Sequence, residues 1–148
     1  MTPELRARYG VEGEWPVAVE HRIRWSECDY NGHVNHAAYL TLCEDLRIDH
    51  WYSLGQMLGE GRPQLVVTQL EVKYLRGVDF RDEVLKTLRC PSLRRSSFIH
   101  EYAIWKQGAA FTCRAVLVVV NPEGTASVPI PPDARRLLME RDGARPEG

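Results

Sequence analysis

Apolar and polar residues alternate along the chain from Pro16 onward, with the period of two that is typical of a β-strand with one buried face. The residues on one face of this segment are Val17, Val19, His21, Ile23 and Trp25. The pattern predicts a first strand over residues 16–25. Residues 1–15 show little periodicity, so we expect them to form an irregular lead-in.

A helical spacing replaces the alternation over residues 37–54, where apolar side chains recur three and four positions apart. The residues at this spacing are Tyr39, Leu42, Cys43, Leu46, His50 and Leu54. Asn35 is placed to cap the first free N–H groups, and Gly55 is placed to end the helix. At about 1.5 Å per residue the predicted helix is about 28 Å long, enough to lie along a whole sheet.

Four strands are predicted after the cluster of helix breakers at residues 59–63. They span residues 64–75, 83–93, 97–106 and 110–120. Lys106, Gln107 and Gly108 read as a tight turn between the last two strands. A short helix is expected from Asp133 to about Arg141, followed by a disordered tail over 143–148.

One strand, one long helix and four strands predict an α+β fold, with a five-stranded, mainly antiparallel sheet that packs one face on the helix. The fourth strand is apolar on both faces. One face carries Phe98, Tyr102 and Ile104, and the other carries Ile99, Ala103 and Trp105. Because one of these faces would stay exposed in a monomer, we predict a homodimer built through sheet or edge-strand contact.

Composition narrows the class of protein. The 148 residues are 44% hydrophobic and 26% charged with a formal net charge of -1, which fits one ordinary globular domain over 1–148 and gives no general attraction to nucleic acid. No apolar run approaches the roughly 18 residues of a membrane span, and residues 1–14 lack the apolar core of a signal peptide. We therefore expect a cytoplasmic protein that does not bind nucleic acid or membranes.

The four cysteines, Cys28, Cys43, Cys90 and Cys113, form no C-x-x-C pair, so free thiols are expected. A nucleophilic role for Cys28 is less favoured than that of a small buried hydrophobe. His33 and His36 form H-x-x-H across the predicted helix cap and lack the H-E-x-x-H arrangement of a zinc site. No metal or cofactor is predicted.

The densest group of polar side chains lies at the junction of the first strand and the long helix, over residues 29–36. It contains a carboxylate, two amides, two imidazoles and a glycine, with the sequence DYNGHVNH. The first N–H groups of a helix lack intrahelical acceptors and bind anionic groups. A functional site is therefore expected at this junction.

This motif resembles that of the hotdog-fold thioesterases of the 4-hydroxybenzoyl-CoA thioesterase type. The longer phrase RWSECDYNGHVN, residues 24–35, is also similar to the first half of fatty acyl-ACP thioesterases. The resemblance covers about residues 16–140 and is sharpest over 29–39. It implies a hotdog fold, with the five-stranded sheet wrapped around the long helix, and an acyl-CoA thioesterase. Around Gly77 and Arg81-Asp82 the sequence departs from the family's pattern of proline followed by glycine-aspartate.

Catalytic roles carried over by the resemblance fall on Asp29, Asn31, His33 and His36. Asp29 is implied to act as the nucleophile or as the general base for water at the thioester carbonyl. The amide of His36, at the helix start, is implied to polarise the carbonyl oxygen. Asn31 and His33 match a polar pair of the acyl-ACP enzymes that orients groups or handles protons. The alternatives are a loop carboxylate that bonds its own backbone for Asp29, and a supporting histidine for His33.

Substrate-binding roles are implied for Gly32, Asn35, Tyr39, Arg94 and Arg95. Gly32 lets the loop turn sharply beside an acyl group. Asn35 is equally explained as a helix cap. The two arginines offer contacts to the phosphates of coenzyme A, although a solvated turn explains them as well.

Three alternatives to an acyl-CoA thioesterase stay open: an acyl-ACP thioesterase, a hydratase or dehydratase on the same fold, and a non-catalytic acyl-CoA-binding protein. Plant acyl-ACP enzymes carry two hotdog halves in one chain, whereas 148 residues hold one. The resemblance therefore implies that a partner subunit supplies the second half, in a homodimer or a dimer of dimers.

Overall fold

Three helices and seven strands make up the protein in this computed structural model, which describes residues 1–148. The helices are α1 (Pro3–Tyr9), α2 (His36–Ser53) and α3 (Pro132–Glu140). The strands are β1 (Val17–Arg22), β2 (Gln64–Tyr74), β3 (Glu83–Arg89), β4 (Ser92–Leu93), β5 (Ser97–Trp105), β6 (Ala109–Val120) and β7 (Arg145–Pro146). None of the helices combines the length and the apolar character needed to cross a bilayer.

All seven strands belong to one sheet. β3 lies between β1 and β5, β5 also pairs with β4 and β6, β2 pairs with β6, and β7 pairs with β4. The β1/β3 and β4/β5 pairs are antiparallel, and the β4/β7 pair is parallel. The predicted α+β class is confirmed, but the prediction of five strands is wrong. The additional strands β4 and β7 have two residues each, too few to produce a visible alternation.

The chain divides into two compact units. The first unit comprises Met1–Ile48, Val72–Arg89 and Tyr102–Cys113. The second unit comprises Asp49–Glu71, Cys90–Glu101 and Arg114–Gly148.

Helix α2 forms where the periodicity predicts it. Within the first unit, Tyr39 stacks on Phe111 of β6 with ring centroids 4.7 Å apart, and Arg47 Nε donates to the hydroxyl of Tyr102 at 2.9 Å. Within the second unit, Trp51 stacks on Phe98 of β5 at 6.0 Å. Gly55 ends the helix with a φ of 81°, a left-handed conformation that glycine adopts without strain.

The N-terminal segment is ordered and buried, so the prediction of an irregular lead-in is wrong. Thr2 Oγ1 accepts the Leu5 N–H at 3.2 Å and caps α1. Three side chains of the segment are buried against β3 and β5. The apolar cluster they join contains Tyr9, Val11, Trp15, Leu85, Ala103 and Trp105. The segment therefore covers the face of Ala103 and Trp105, and Phe98, Tyr102 and Ile104 are buried as well. The prediction that one face of β5 stays exposed is wrong for this reason.

Two other predicted boundaries also differ. The first strand ends at Arg22 and not at residue 25, because Trp25–Glu27 form a 3-10 turn. The tail is not disordered: β7 pairs with β4, Ala144 is buried, and the Glu147 N–H donates to the carbonyl of Leu93 at 2.8 Å. The backbone hydrogen bonds of this pairing hold a polar tail whose composition alone gives no sign of order.

Strand β2 is the exposed apolar element of the fold. It has 11 residues and pairs on one side with β6, while its other edge has no partner strand. Its larger exposed apolar side chains are Val66, Val67, Leu70 and Tyr74. A long apolar edge strand is a template for pairing with another chain.

Candidate active site

The loop between the 3-10 turn and α2 closes on itself through backbone hydrogen bonds. The Asp29 N–H donates to the carbonyl of His33 at 2.7 Å, and the Gly32 N–H donates back to the carbonyl of Asp29 at 3.0 Å. Gly32 has a φ of 84°, and a Cβ built on it meets no atom within 4 Å. The predicted sharp turn is therefore present, with open space on the side where a side chain would lie.

The Asp29 carboxylate uses its two oxygens differently. Oδ1 accepts the N–H groups of Asn31 and His33 at 2.9 and 3.2 Å. Oδ2 accepts no hydrogen bond from the protein. The loop-bonding alternative is therefore present in the structure, yet it occupies one oxygen only. The backbone fixes the orientation of the carboxylate and leaves the second oxygen available for a ligand or water.

The start of α2 has one unused amide beside this loop. Asn35 Oδ1 accepts the Ala37 N–H at 2.9 Å, so the predicted cap is confirmed. The Asn35 and Ala38 N–H groups donate to the carbonyls of Glu27 and Asn35, each at 2.9 Å. The His36 N–H makes no hydrogen bond within the protein. The N–H groups of Asn35 and Ala37 are therefore occupied, and that of His36, the amide implied to polarise a carbonyl, is available.

His33 pairs with Asp79, a residue that the sequence did not single out. The His33 Nδ1 lies 2.7 Å from the Asp79 Oδ1. The hydrogen bond that His33 makes to Asp79, together with the negative charge of that carboxylate, raises the pKa of His33 above its ordinary value. Asp79 lies 46 residues beyond His33 and outside the motif of residues 29–36. No local pattern in the sequence joins the two residues.

Cys28 is not poised as a nucleophile. Its Sγ lies 3.5 Å from the carbonyl oxygen of Arg24. Burial, followed by the charges of Glu27 and Asp29, raises the pKa of the Cys28 thiol, so the reactive thiolate is disfavoured. The Cys28 side chain lines a cleft of about 450 Å³ together with Asn35 and Leu42.

Tyr39 is packed among aromatic side chains. Its side chain is buried between Phe111 and Tyr74, whose ring centroid lies 5.5 Å away. Burial raises the pKa of the Tyr39 hydroxyl. The Tyr74 hydroxyl in turn donates to the carbonyl of His36 at 3.0 Å. Tyr39 therefore supports the start of the helix through Tyr74. Its substrate-binding role stays a prediction.

Arg94 and Arg95 belong to the second unit, whereas the loop of residues 28–36 belongs to the first. Both arginines are exposed, and their carbonyls accept hydrogen bonds from Arg135 and Ile130. Arg94 lines a cavity of about 290 Å³ with Arg114 and Ser92. No group of three or more His, Cys, Asp or Glu side chains is arranged to hold a metal ion.

A family model and two solved structures that resemble this chain are all described as thioesterases or thioesterase-like. The family model described as thioesterase-like superfamily matches residues 23–138. The crystal structure of a thioesterase superfamily protein from Jannaschia sp. CCS1 is 31% identical, with a TM-score of 0.83 over 95% of this chain and 91% of that one. A thioesterase complexed with coenzyme A and Zn from Thermus thermophilus is 30% identical, with a TM-score of 0.72 over 87% of this chain and 96% of that one.

A more distant neighbour shares the fold alone. The 1,4-dihydroxy-2-naphthoyl-CoA thioesterase Slr0204 from Synechocystis is 16% identical, with a TM-score of 0.73 over 84% of this chain and 96% of that one. No curated protein sequence matches this chain.

Proposed function

Because this chain belongs to the thioesterase-like superfamily, whose members have the hotdog fold, we propose that it acts as a single-domain acyl-CoA thioesterase that releases a free acid and coenzyme A. The observation that carries the proposal is that two groups at the same strand-to-helix junction make no hydrogen bond within the protein. These are the Oδ2 of Asp29 and the N–H of His36 at the start of α2.

The chemistry of thioester hydrolysis needs both groups. The His36 N–H donates to the carbonyl oxygen as negative charge develops on it, and the dipole of α2 favours that charge. The Asp29 Oδ2 either attacks the carbonyl carbon or removes a proton from the attacking water. The C–S bond then breaks, the thiolate leaves and gains a proton, and water supplies the hydroxyl of the acid. Asn31 and His33, on the same loop, orient the water or handle the proton.

Coenzyme A is the carrier that the comparisons favour, since a relative at 30% identity is a thioesterase complexed with it. Gly32 leaves room for the thioester beside the loop, and Asn35 keeps the helix start in place. Tyr39 packs against Tyr74, whose hydroxyl donates to the carbonyl of His36. Arg94 and Arg95 are exposed cations that suit the phosphates of the carrier.

A homodimer forms part of this proposal. β2 offers 11 residues with one unpaired edge, and Val66, Val67, Leu70 and Tyr74 on it are at least 36% exposed. Pairing of β2 with the β2 of a second copy satisfies the free backbone groups and buries these side chains. In the dimer the partner completes the substrate site. A dimer of dimers contains the same two-chain site, so the proposal holds for a tetramer as well.

Release of free thiol from a panel of acyl-CoA esters tests the proposal. The panel contains short, medium and aromatic acyl groups, and each is also offered on acyl carrier protein. Time-dependent thiol release from at least one CoA ester supports the proposal, and preference for the carrier-protein ester assigns the acyl-ACP alternative. A hydratase changes the acyl chain without releasing thiol, and a binding protein gives heat in calorimetry without product. Either of these two results would contradict the proposal.

A further inference from the structure

We propose that Asp79 is the positioning residue for His33, and that it holds the imidazole as the proton donor to the sulfur that leaves during thioester hydrolysis. The inference rests on the proposed function and extends it to a residue outside the motif of residues 29–36. It is carried by the hydrogen bond of 2.7 Å between His33 Nδ1 and Asp79 Oδ1.

The two residues are held in register by the backbone. His33 and Asp79 face each other in an isolated antiparallel bridge. On either side of them, the Val34 N–H donates to the carbonyl of Val78 and the Phe80 N–H donates to the carbonyl of Gly32, both at 2.8 Å. The segment after β2 is therefore fixed along the catalytic loop, and the side-chain contact does not depend on the side chains alone.

Asp79 is also anchored within its own segment. The Asp79 N–H donates to the Asp82 Oδ2 at 2.8 Å, and the Asp82 N–H donates to the carbonyl of Asp79 at 3.0 Å. The Lys106 ammonium binds the same Asp82 oxygen at 2.6 Å. The Ile23 N–H donates to the carbonyl of Asp82 at 2.9 Å. Asp79 thus lies in a segment that is held by contacts to the loop, to Ile23 and to Lys106, and this segment places its carboxylate beside His33.

This arrangement determines what each nitrogen of His33 does. A carboxylate oxygen only accepts, so Nδ1 carries a hydrogen and donates it to Asp79. Nε2 has no partner within the protein. The charged groups that act on the ring are the carboxylates of Asp79 and Asp29, both of which favour the imidazolium. In that form Nε2 also carries a hydrogen and is the available donor.

The proton balance of the step is complete. When Asp29 acts as the general base, water gives one proton to Asp29 and its hydroxide to the carbonyl carbon. His33 gives its Nε2 proton to the sulfur as the C–S bond breaks. Asp29 then releases its proton to solvent and His33 regains one from solvent, which returns both residues to their starting states. Asp79 remains ionised throughout and forms no bond to the substrate, so its effect passes through His33.

NMR titration of the histidine rings tests the pairing without any activity. The His33 signal is assigned as the one missing from His33→Gln, and it is followed with pH in the wild type, Asp79→Asn, Asp79→Glu and Asp49→Asn. Asp49 is an exposed carboxylate on α2 and serves as the matched control. We expect the His33 midpoint to fall in Asp79→Asn, to recover partly in Asp79→Glu and to stay in place in Asp49→Asn. An unchanged midpoint in Asp79→Asn overturns the proposal.

Leaving-group dependence tests the proton transfer to sulfur. Each variant is compared with the wild type on an acyl-CoA and on a thiophenyl ester of the same acid, whose more acidic thiol leaves without a proton. We expect His33→Gln to lose about 100-fold or more in kcat on the CoA ester. The loss in Asp79→Asn is smaller, and both losses shrink on the thiophenyl ester. Equal losses on the two esters overturn the donor role.

The two proposals fail in different ways. If no acyl-CoA releases thiol in the wild type, the proposed function fails while the titration still reports the pairing. If thiol release occurs and the His33 midpoint does not respond to Asp79→Asn, the thioesterase stands and the role of Asp79 is refuted.

Discussion

His50 donates through Nε2 to the Asp142 Oδ2 at 2.8 Å, and the two side chains are only 1% and 3% exposed. The Nδ1 of His50 lies 3.1 Å from the Nε2 of His100, which is fully buried. Asp142 also accepts from Arg141, whose guanidinium reaches the carbonyl of Ser53 in the last turn of α2. A buried polar network thus joins the end of α2 to the segment that follows α3.

Asp142→Ala is expected to destabilise the protein by about 3–5 kcal/mol, because it removes the buried carboxylate that pairs with Arg141 and leaves His50 without its acceptor. Urea unfolding measures the free energy. Glu140→Ala, which breaks the exposed pair with Arg136, is the control and should change stability by less than about 0.5 kcal/mol. Equal effects of the two substitutions would contradict the structural role of the network.

Stability should also fall in acid through Asp142. Burial alone raises the pKa of this carboxyl, but the hydrogen bonds from His50 and Arg141 outweigh burial and lower the pKa below the ordinary value of 3.8. A carboxyl with a depressed pKa stabilises the folded state above the pKa of the unfolded chain, and this contribution is lost as the pH falls through the folded value. The stability difference between the wild type and Asp142→Asn should therefore be constant at neutral pH and shrink below about pH 4. A difference that grows in acid would mean that folding raises the pKa of Asp142 and does not lower it.

Trp15 anchors the N-terminal segment. Its ring lies edge-on to Trp105 at 6.0 Å, the Arg89 guanidinium lies 4.1 Å from its centroid, and its Nε1 donates to the carbonyl of Glu12 at 2.8 Å. We expect Trp15→Ala to cost about 3 kcal/mol and Trp15→Phe to cost less, since the phenyl ring retains part of the buried contact. Thermal and urea unfolding measure both. A cost below about 1 kcal/mol for Trp15→Ala would mean that packing of the N-terminal segment contributes little to the free energy of unfolding.

Asn35 couples stability to the candidate site. Asn35→Ala removes the acceptor of the Ala37 N–H and should cost about 1 kcal/mol, whereas Asn35→Asp keeps an acceptor and should cost less. Thiol release should follow the same order, because the cap fixes the amide of His36. A variant that loses stability without losing activity would separate the cap from the chemistry.

The exposed edge of β2 should control assembly. A double change of Val66→Lys and Leu70→Lys adds two charges to one face of the strand and should convert a dimer to a monomer in sedimentation equilibrium. Activity should fall with it, because in the proposed dimer the partner completes the site. Glu123→Lys, in an exposed turn, changes the net charge by the same amount and should leave the dimer intact. A monomeric wild type would refute this part of the proposal.

Periodicity predicted the long helix α2 and the five strands of six or more residues. Helix α2 and its Asn35 cap follow from spacing alone, because a capping residue and the apolar residues at helical spacing after it are close together in the sequence. The buried N-terminal segment was missed, since Tyr9, Val11 and Trp15 are buried by an irregular path that has no period. The pairing of His33 with Asp79 was missed because it joins distant segments, and only the register of a loop against the motif brings them together.

The buried network was missed for a related reason. His50 falls on the apolar stripe of α2, where a histidine reads as one more core position. Asp142 lies next to a polar tail that composition marks as disordered. Only the fold places the carboxylate beside the imidazole, so neither residue carries the signal by itself.

The release of free thiol by Asp29→Asn decides whether the Asp29 carboxylate drives thioester hydrolysis. The asparagine keeps the size of the side chain and an oxygen for the N–H groups of Asn31 and His33, but it can neither attack the carbonyl carbon nor accept a proton from water. On the best acyl-CoA of the panel, kcat should fall by at least about 100-fold, with unfolding unchanged within about 1 kcal/mol. Asp49→Asn, an exposed carboxylate on α2, should retain wild-type kcat. Wild-type rates of thiol release from folded Asp29→Asn would refute the catalytic role of Asp29.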